Sequence, residues 1–325
     1  RINMTTFKNI VGIKIKHLSA DPPAPTVGQV WYNTTSKVVK GAINGAGTWA
    51  SGGNLNTGRE NQGPAGVGSQ TAALAVAGYV SARNDSVEQY NGSSWTEIAE
   101  VNTARYGNGS STSGTTTAAI TAGGDINPKD QVEEWDGSSW TEIAEINNAD
   151  YYRNSAGTST AMILASQSTR AGNTEIWNGS GWTEVNNMNQ GRYASGSFGI
   201  TTAMLVTGGD KGPPSPPITN NTEIYNGTSW TEVNNMNTKK QYLGGAGTTT
   251  DGIAFGTSAA ADKAKNEAWN GTSWTEVADL ATGRYAFQGA AGSGAAAWAA
   301  GGTPVITATE EFTVSTFTTK TFDTD

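Results

Sequence analysis

The sequence predicts an all-β chain whose main body is a six-bladed β-propeller of four-stranded antiparallel blades, preceded by a short N-terminal extension. Three observations carry this. A seven-residue string recurs five times: NGSSWTE at Asn91–Glu97, DGSSWTE at Asp136–Glu142, NGSGWTE at Asn178–Glu184, and NGTSWTE at both Asn226–Glu232 and Asn270–Glu276. Trp49, Trp95, Trp140, Trp182, Trp230 and Trp274 lie 46, 45, 42, 48 and 44 residues apart, a period that marks repeat architectures. The composition, with 42 Gly in 325 residues and only 15% charged, suits short strands and tight turns rather than helices.

Each repeat reads as four strands. Strand a follows a basic column ten residues after each Trp, made of Arg59, Arg105, Asp150, Arg192, Lys240 and Arg284. Strand b is of the TTAAITAGG type, strand c of the QVEEW type and strand d of the WTEIAEI type. An aromatic stands five residues before each of the last five tryptophans: Tyr90, Trp135, Trp177, Tyr225 and Trp269. Between c and d lies Asn-Gly or Asp-Gly, the strongest short hairpin signal, because both residues tolerate positive φ. The Asn-Gly-Ser/Thr strings are also glycosylation sequons, but recurrence at one turn position favours turn chemistry.

The residue gradient fits radially arranged blades. Strands a and b are small (Gly, Ala, Ser, Thr), as crowded inner strands require, and d carries the Trp. An indole between neighbouring sheets buries ~150–250 Å², an upper bound of about 4–6 kcal/mol each. The six Trp and the basic residues Arg59, Arg105, Arg192 and Arg284 are therefore structural repeat positions. So is the strand-d glutamate column (Glu97, Glu142, Glu184, Glu232, Glu276), expected to pair with basic residues. Six a–b–c sets meet seven candidate d strands, from Trp49 to Phe317. The expectation is that the Trp49 strand joins the last set and leaves FTTKTFDTD peripheral, with Phe317 as the alternative and a seventh blade disfavoured. Residues 1–47 and 48–325 form the expected domains.

Length variation falls mainly between strands b and c. In an antiparallel blade the b–c and d–a loops share one face, so dissimilar loops gather there, where recognition is usually placed. The candidate partner-binding residues are Arg83, Asn84, Asp125, Asn127, Lys129, Arg170, Lys211, Pro213, Pro214 and Lys263. The Pro-rich KGPPSPP at Lys211–Pro217 should project as a stiff, extended segment.

Chemistry-bearing constellations are missing. There is no Cys and one His, His17, outside the repeats, so thiolate nucleophiles, His triads and His/Cys zinc sites lack their groups. Asp125, Asp130 and Asp210 do not reproduce a known Ca²⁺ spacing. No enzyme activity, cofactor or metal is expected. Net charge is −8, which argues against a nucleic-acid footprint, and no run of 18 apolar residues suggests membrane insertion. Residues 1–40 carry six Lys/Arg against Asp21, a balance of +5, which leaves −13 on the remainder.

The Arg-Tyr start, the Gly-Gly after strand b (Gly123-Gly124, Gly208-Gly209, Gly301-Gly302), the aromatic before the c–d turn and the Trp after it resemble kelch repeats over about residues 48–322. Departures are Asp150 for Arg, and Ser166-Gln167 and Gly256-Thr257 for Gly-Gly. The kelch-type copper oxidases need a Cys that this chain lacks. Segments such as GQVWYNTTSKVV, GTWASGGNLNTGR and GVGSQTAALAVAGY resemble N-terminal regions of tail-associated virion proteins of marine bacteriophages. That resemblance implies attachment to the virion through the N-terminal segment and an outward-facing propeller. The expected function is a non-enzymatic, virion-located (extracellular) protein recognising a host-surface structure such as a glycan. Alternatives are a purely structural virion component and a bacterial extracellular adhesion propeller. Expected partners are other virion proteins, a host glycan or protein, and further copies of the chain.

Overall fold

The structure, a computed structural model, describes residues 15–23, 29–43, 47–60, 66–213, 217–287, 289–314 and 318–322. The chain divides into two compact units, Arg1–Gly47 with Val314–Asp325, and Thr48–Thr313. Among the described residues every regular element is a strand, in seven four-stranded sheets, consistent with a β-propeller. Among the described residues no helix is long and apolar enough to cross a membrane.

The first unit begins with β1 (Lys16–Leu18), β2 (Val30–Asn33) and β3 (Val38–Ile43). β1 pairs with β2 in parallel, β2 with β3 antiparallel, and a late strand, Thr318–Phe322, adds antiparallel to β3. Asp21 ties this sheet together. Its carboxylate accepts from Trp31 Nε1 (3.0 Å), Asn33 Nδ2 (2.8 Å) and Lys40 Nζ (2.7 Å). The Lys40 hydrogen bond, then those of Asn33 and Trp31, hold its pKa down at about 2.

The second unit opens with β4 (Thr48–Ser51). Its next sheet comprises β5 (Gly66–Ser69), β6 (Ala72–Tyr79), β7 (Arg83–Tyr90) and β8 (Trp95–Ile98). β9 (Gly109–Ser110), β10 (Ala119–Ala122), β11 (Val132–Trp135) and β12 (Trp140–Ile143) form the following one. Then come β13 (Asn154–Thr158), β14 (Ala161–Ala165), β15 (Thr174–Trp177) and β16 (Trp182–Val185), and after them β17 (Gly196–Ile200), β18 (Ala203–Thr207), β19 (Thr222–Tyr225) and β20 (Trp230–Val233). β21 (Gly244–Thr248), β22 (Asp251–Phe255), β23 (Asn266–Trp269) and β24 (Trp274–Val277) build the fifth. β25 (Gly289–Gly292), β26 (Ala296–Ala300) and β27 (Thr309–Thr313) build the sixth, which β4 completes, while β28 (Thr318–Phe322) is the late strand of the first unit.

Register explains the aromatic pairs of the sequence. Tyr90 stands opposite Trp95, Trp135 opposite Trp140, Trp177 opposite Trp182, Tyr225 opposite Trp230 and Trp269 opposite Trp274. Phe312 stands opposite Trp49 in the same register, so the Trp49 strand does join the last a–b–c set. Phe317 lies outside the described residues. The turn between each such pair is closed by its first residue. Asn91, Asp136, Asn178, Asn226 and Asn270 each accept two backbone N–H groups through Oδ1, at 2.8–3.0 Å. The following glycine takes positive φ, as at Gly227 (91°). Four NG pairs and one DG thus write one turn five times.

The tryptophans bridge sheets, as their spacing predicts. Trp140, Trp182 and Trp230 donate Nε1 to Ala99, Ala144 and Asn186, carbonyls at the end of the preceding repeat's strand d (3.1 Å each). Trp95 donates instead to Thr309 Oγ1 (3.0 Å), and Trp49 packs on Phe255 and Phe312. Trp274 is buried without a hydrogen-bond partner on its indole nitrogen. Small inner residues allow polar contact between first strands: Ser110 N donates to Ser155 Oγ (3.1 Å), and Ser155 N to Ser197 Oγ (3.2 Å).

The basic column is buried, and its partner is a strand-c glutamate that the sequence reading did not pick. Arg59 pairs with Glu88, Arg105 with Glu133, Arg192 with Glu223 (3.3 Å) and Arg284 with Glu310 (3.1 Å), all buried. The strand-d glutamates, expected to pair with basic residues, are exposed, and Glu276 pairs with Lys265 at 3.8 Å. Where Asp150 replaces the basic residue, Arg153 supplies the guanidinium to Glu175 at 2.8 Å. Lys240 donates to the Lys265 carbonyl (2.5 Å). Each glutamate also accepts two backbone N–H groups from the preceding loop, as Glu175 does from Asn147 (2.7 Å) and Asn148 (3.1 Å). Burial pushes Glu175 up, but Arg153 and these N–H groups outweigh it and hold its pKa below the usual range.

Candidate functional site

Loops between b and c meet loops between d and a through short backbone bridges, Asn84 with Arg105, Tyr193 with Asp210 and Tyr285 with Thr303. The sequence-derived candidates lie on these segments but do not act alike. The segment YVSARNDS is mostly strand. β6 and β7 are joined by Val80–Ala82 only, so Arg83 and Asn84 open β7. Asn84 belongs to the scaffold, since its Oδ1 accepts from Arg59 Nη1 (3.2 Å) and Ser86 N (2.8 Å). Arg83 reaches into the next repeat and pairs with Asp125 at 3.3 Å. Arg170 pairs with Asp210 at 3.0 Å, also across a repeat boundary. Asn127 and Pro213 are exposed. Lys211 donates its backbone N–H to the Pro217 carbonyl (2.9 Å), which closes the base of the Pro-rich loop. Pro214 lies outside the described residues.

What unites several of these side chains is a set of tyrosines that the sequence reading did not select. Lys129 Nζ lies 4.4 Å from the Tyr151 ring centroid, the Arg170 guanidinium 4.8 Å from Tyr193, and Lys263 Nζ 5.7 Å from Tyr285. The rings form a belt of half-buried phenols. Tyr79 is 5.3 Å from Tyr106, Tyr106 6.3 Å from Tyr152, and Tyr152 6.0 Å from Tyr193. Tyr193 is 5.9 Å from Tyr242, and Tyr242 is 5.9 Å from Tyr285. From Tyr285 the path returns to its start, because Thr303 N donates to the Tyr285 carbonyl (2.7 Å), Thr303 Oγ1 bonds Glu60, and Glu60 N donates to the Tyr79 carbonyl (2.9 Å).

The belt draws on two positions of the repeat. Tyr106, Tyr193 and Tyr285 directly follow the buried arginine. Tyr152 and Tyr242 sit one place further on, where Gly107, Ala194 and Ala286 stand in other repeats and φ is 51–67° throughout. An L side chain in this left-handed conformation costs ~1–2 kcal/mol. Gly107 shows what the conformation prefers, and a Cβ there would come within 2.7 Å of the Tyr152 ring. Burial first, then neighbouring phenols, raises the pKa of Tyr152, and burial first, then the Tyr193 hydrogen bond, that of Tyr242. Both stay protonated and can donate.

Two carboxylate residues flank the belt. Asp125 N donates to the Tyr106 carbonyl (2.7 Å) and Asp210 N to the Tyr193 carbonyl (2.8 Å), while each carboxylate pairs with its arginine. No group of three or more His, Cys, Asp or Glu able to hold a metal ion occurs among the described residues. The arrangement offers aromatic faces, neutral phenol hydroxyls and paired charges, a chemistry of binding. Compared with known proteins, the chain matches no family model and no curated protein.

Proposed function

We propose that the chain is a non-enzymatic, virion-associated six-bladed propeller of kelch-like repeats that recognises a host-surface structure, a glycan by preference, through its b–c loop face. In this reading the six sheets of Thr48–Thr313 are the blades, and β4 closes the ring on β27. The separate sheet holding residues 16–43 belongs to the part that attaches to other virion proteins, and the location is the extracellular virion.

The observation that carries the reading is the tyrosine belt with its basic side chains on the loop side, set against uniform NG turns on the other. Exposed large apolar residues also count against the assembly alternative. Among the described residues they are Ile15, Ile200 and Val305, too few to make the extended apolar surface that packing on neighbours calls for. Full-length protein applied to a glycan array and to cultured marine bacteria tests it. Saturable binding that falls when Arg83 and Arg170 are both changed to alanine supports recognition. Absence of binding, with co-assembly on tail proteins, replaces it by the structural role.

A further inference from the structure

We propose that Tyr106, Tyr152 and Tyr193 form a stacking platform for the ring of a neutral sugar, whose hydroxyls are taken by the flanking Arg83–Asp125 and Arg170–Asp210 pairs. This rests on the recognition reading and names its site and ligand class.

The three rings form an arc with Tyr152 at its centre, 6.3 Å from Tyr106 and 6.0 Å from Tyr193, and the latter pair is nearly parallel at 24°. Each end carries the same bracket. Asp125, held to the Tyr106 carbonyl by its backbone N–H, pairs with Arg83, and Asp210, held likewise to Tyr193, pairs with Arg170. These arginines remain reachable, with side chains 48% and 35% exposed. A sugar hydroxyl both donates and accepts, and each bracket offers a guanidinium donor beside a carboxylate acceptor. Charge selects the ligand further. Each bracket sums to zero, so an anion gains no net attraction there. A cation would meet the like charges of Lys129 and Arg170, which lie beside Tyr151 and Tyr193. A neutral ring with C–H faces and hydroxyl edges suits what is left.

The centre of the arc supplies the test. Tyr152 has φ 58°, a conformation shared by Gly107, Ala194, Tyr242 and Ala286, so the repeat sets the backbone there and glycine accepts it without strain. Tyr152→Gly should therefore keep the fold, read as an unchanged far-ultraviolet circular dichroism spectrum, and abolish the platform. Ala286→Gly relieves the same strain outside the arc, removes no ring, and serves as the control.

Saturation-transfer NMR on the full chain, with maltohexaose, chitohexaose, mannohexaose, polygalacturonate oligomers and polysialic acid, reads the outcome. The proposal expects transfer to at least one neutral oligosaccharide. It also expects binding at least tenfold weaker in Tyr152→Gly, within twofold of wild type in Ala286→Gly, and transfer to the acidic oligomers no stronger. It is overturned by exclusive binding of the acidic oligomers, by equal weakening in both variants, by undiminished binding in Tyr152→Gly, or by no transfer to any of them. Cell binding separates the two readings. If Tyr152→Gly still binds cells as wild type does, recognition stands and this subsite falls. If the wild-type chain binds neither cells nor sugars, both fall.

Discussion

Arg153 shows how the repeat tolerates a broken motif. Its guanidinium arrives from three residues beyond the expected column position, yet ends 2.8 Å from the buried Glu175. Removing one partner of a buried pair strands the other's charge, at a cost of about 3–5 kcal/mol. Arg153→Ala should lower the urea midpoint by that equivalent, while Glu232→Ala on the exposed face of β20 should stay within ~0.5 kcal/mol of wild type. The same pair sets a pH dependence. Glu175 has a folded pKa below its unfolded value of about 4.3, so its contribution is complete above that pH and is lost as pH falls through the lower folded value. Glu175→Gln should be less stable than wild type at pH 7 but lose less stability between pH 5 and pH 3. Unfolding curves at the two pH values check this.

At the scale of the element, the c–d turn makes a sharper test than any strand. Asp136 already occupies the place of asparagine in one repeat, accepts the same two N–H groups, and has its pKa lowered to about 2 chiefly by the backbone N–H of Ser139. Asn226→Asp should therefore leave the thermal midpoint at pH 7 unchanged. Gly227→Ala should lower it by the equivalent of about 1 kcal/mol, because φ is 91° and no side chain relaxes there. Nearest contacts of 3.5 Å to Thr202 leave room for the methyl, so the cost is conformational and not steric. These turns were legible in the sequence because their chemistry is local: NG states its own dihedral angles. The Trp column was legible because one spacing recurs. The glutamate partners of the arginines were not, since Glu88, Glu133 and Glu175 lie 22–29 residues from their arginines and look like ordinary half-exposed strand residues. The tyrosine belt was hidden for a related reason. Its members come from two columns and, at Tyr79, from the end of β6, so no single spacing collects them.

For the whole second unit, the decisive contact joins its two ends. β4 pairs with β27, which brings Thr48 opposite Thr313 and holds a segment of some 260 residues between one pair of strands. Left unpaired, β27 would present a free edge, a template for another chain. The alternative in solution is exchange, in which β4 of one molecule completes the sixth sheet of another. Because the chain has no cysteine, Thr48→Cys combined with Thr313→Cys introduces a single, unambiguous pair. Both positions are exposed, so oxidation needs no rearrangement of the core. If the pairing is within one molecule, mild oxidation should give a monomeric, faster-migrating species on a non-reducing gel. Its thermal midpoint should exceed that of the reduced form, with ~5 kcal/mol as the upper bound for closing so long a loop. Crosslinked dimers at low micromolar concentration would instead show exchange. The same result would mean that the link returning from Tyr285 to Tyr79 through Thr303 and Glu60, which joins the last repeat to the first, runs between two copies of the chain.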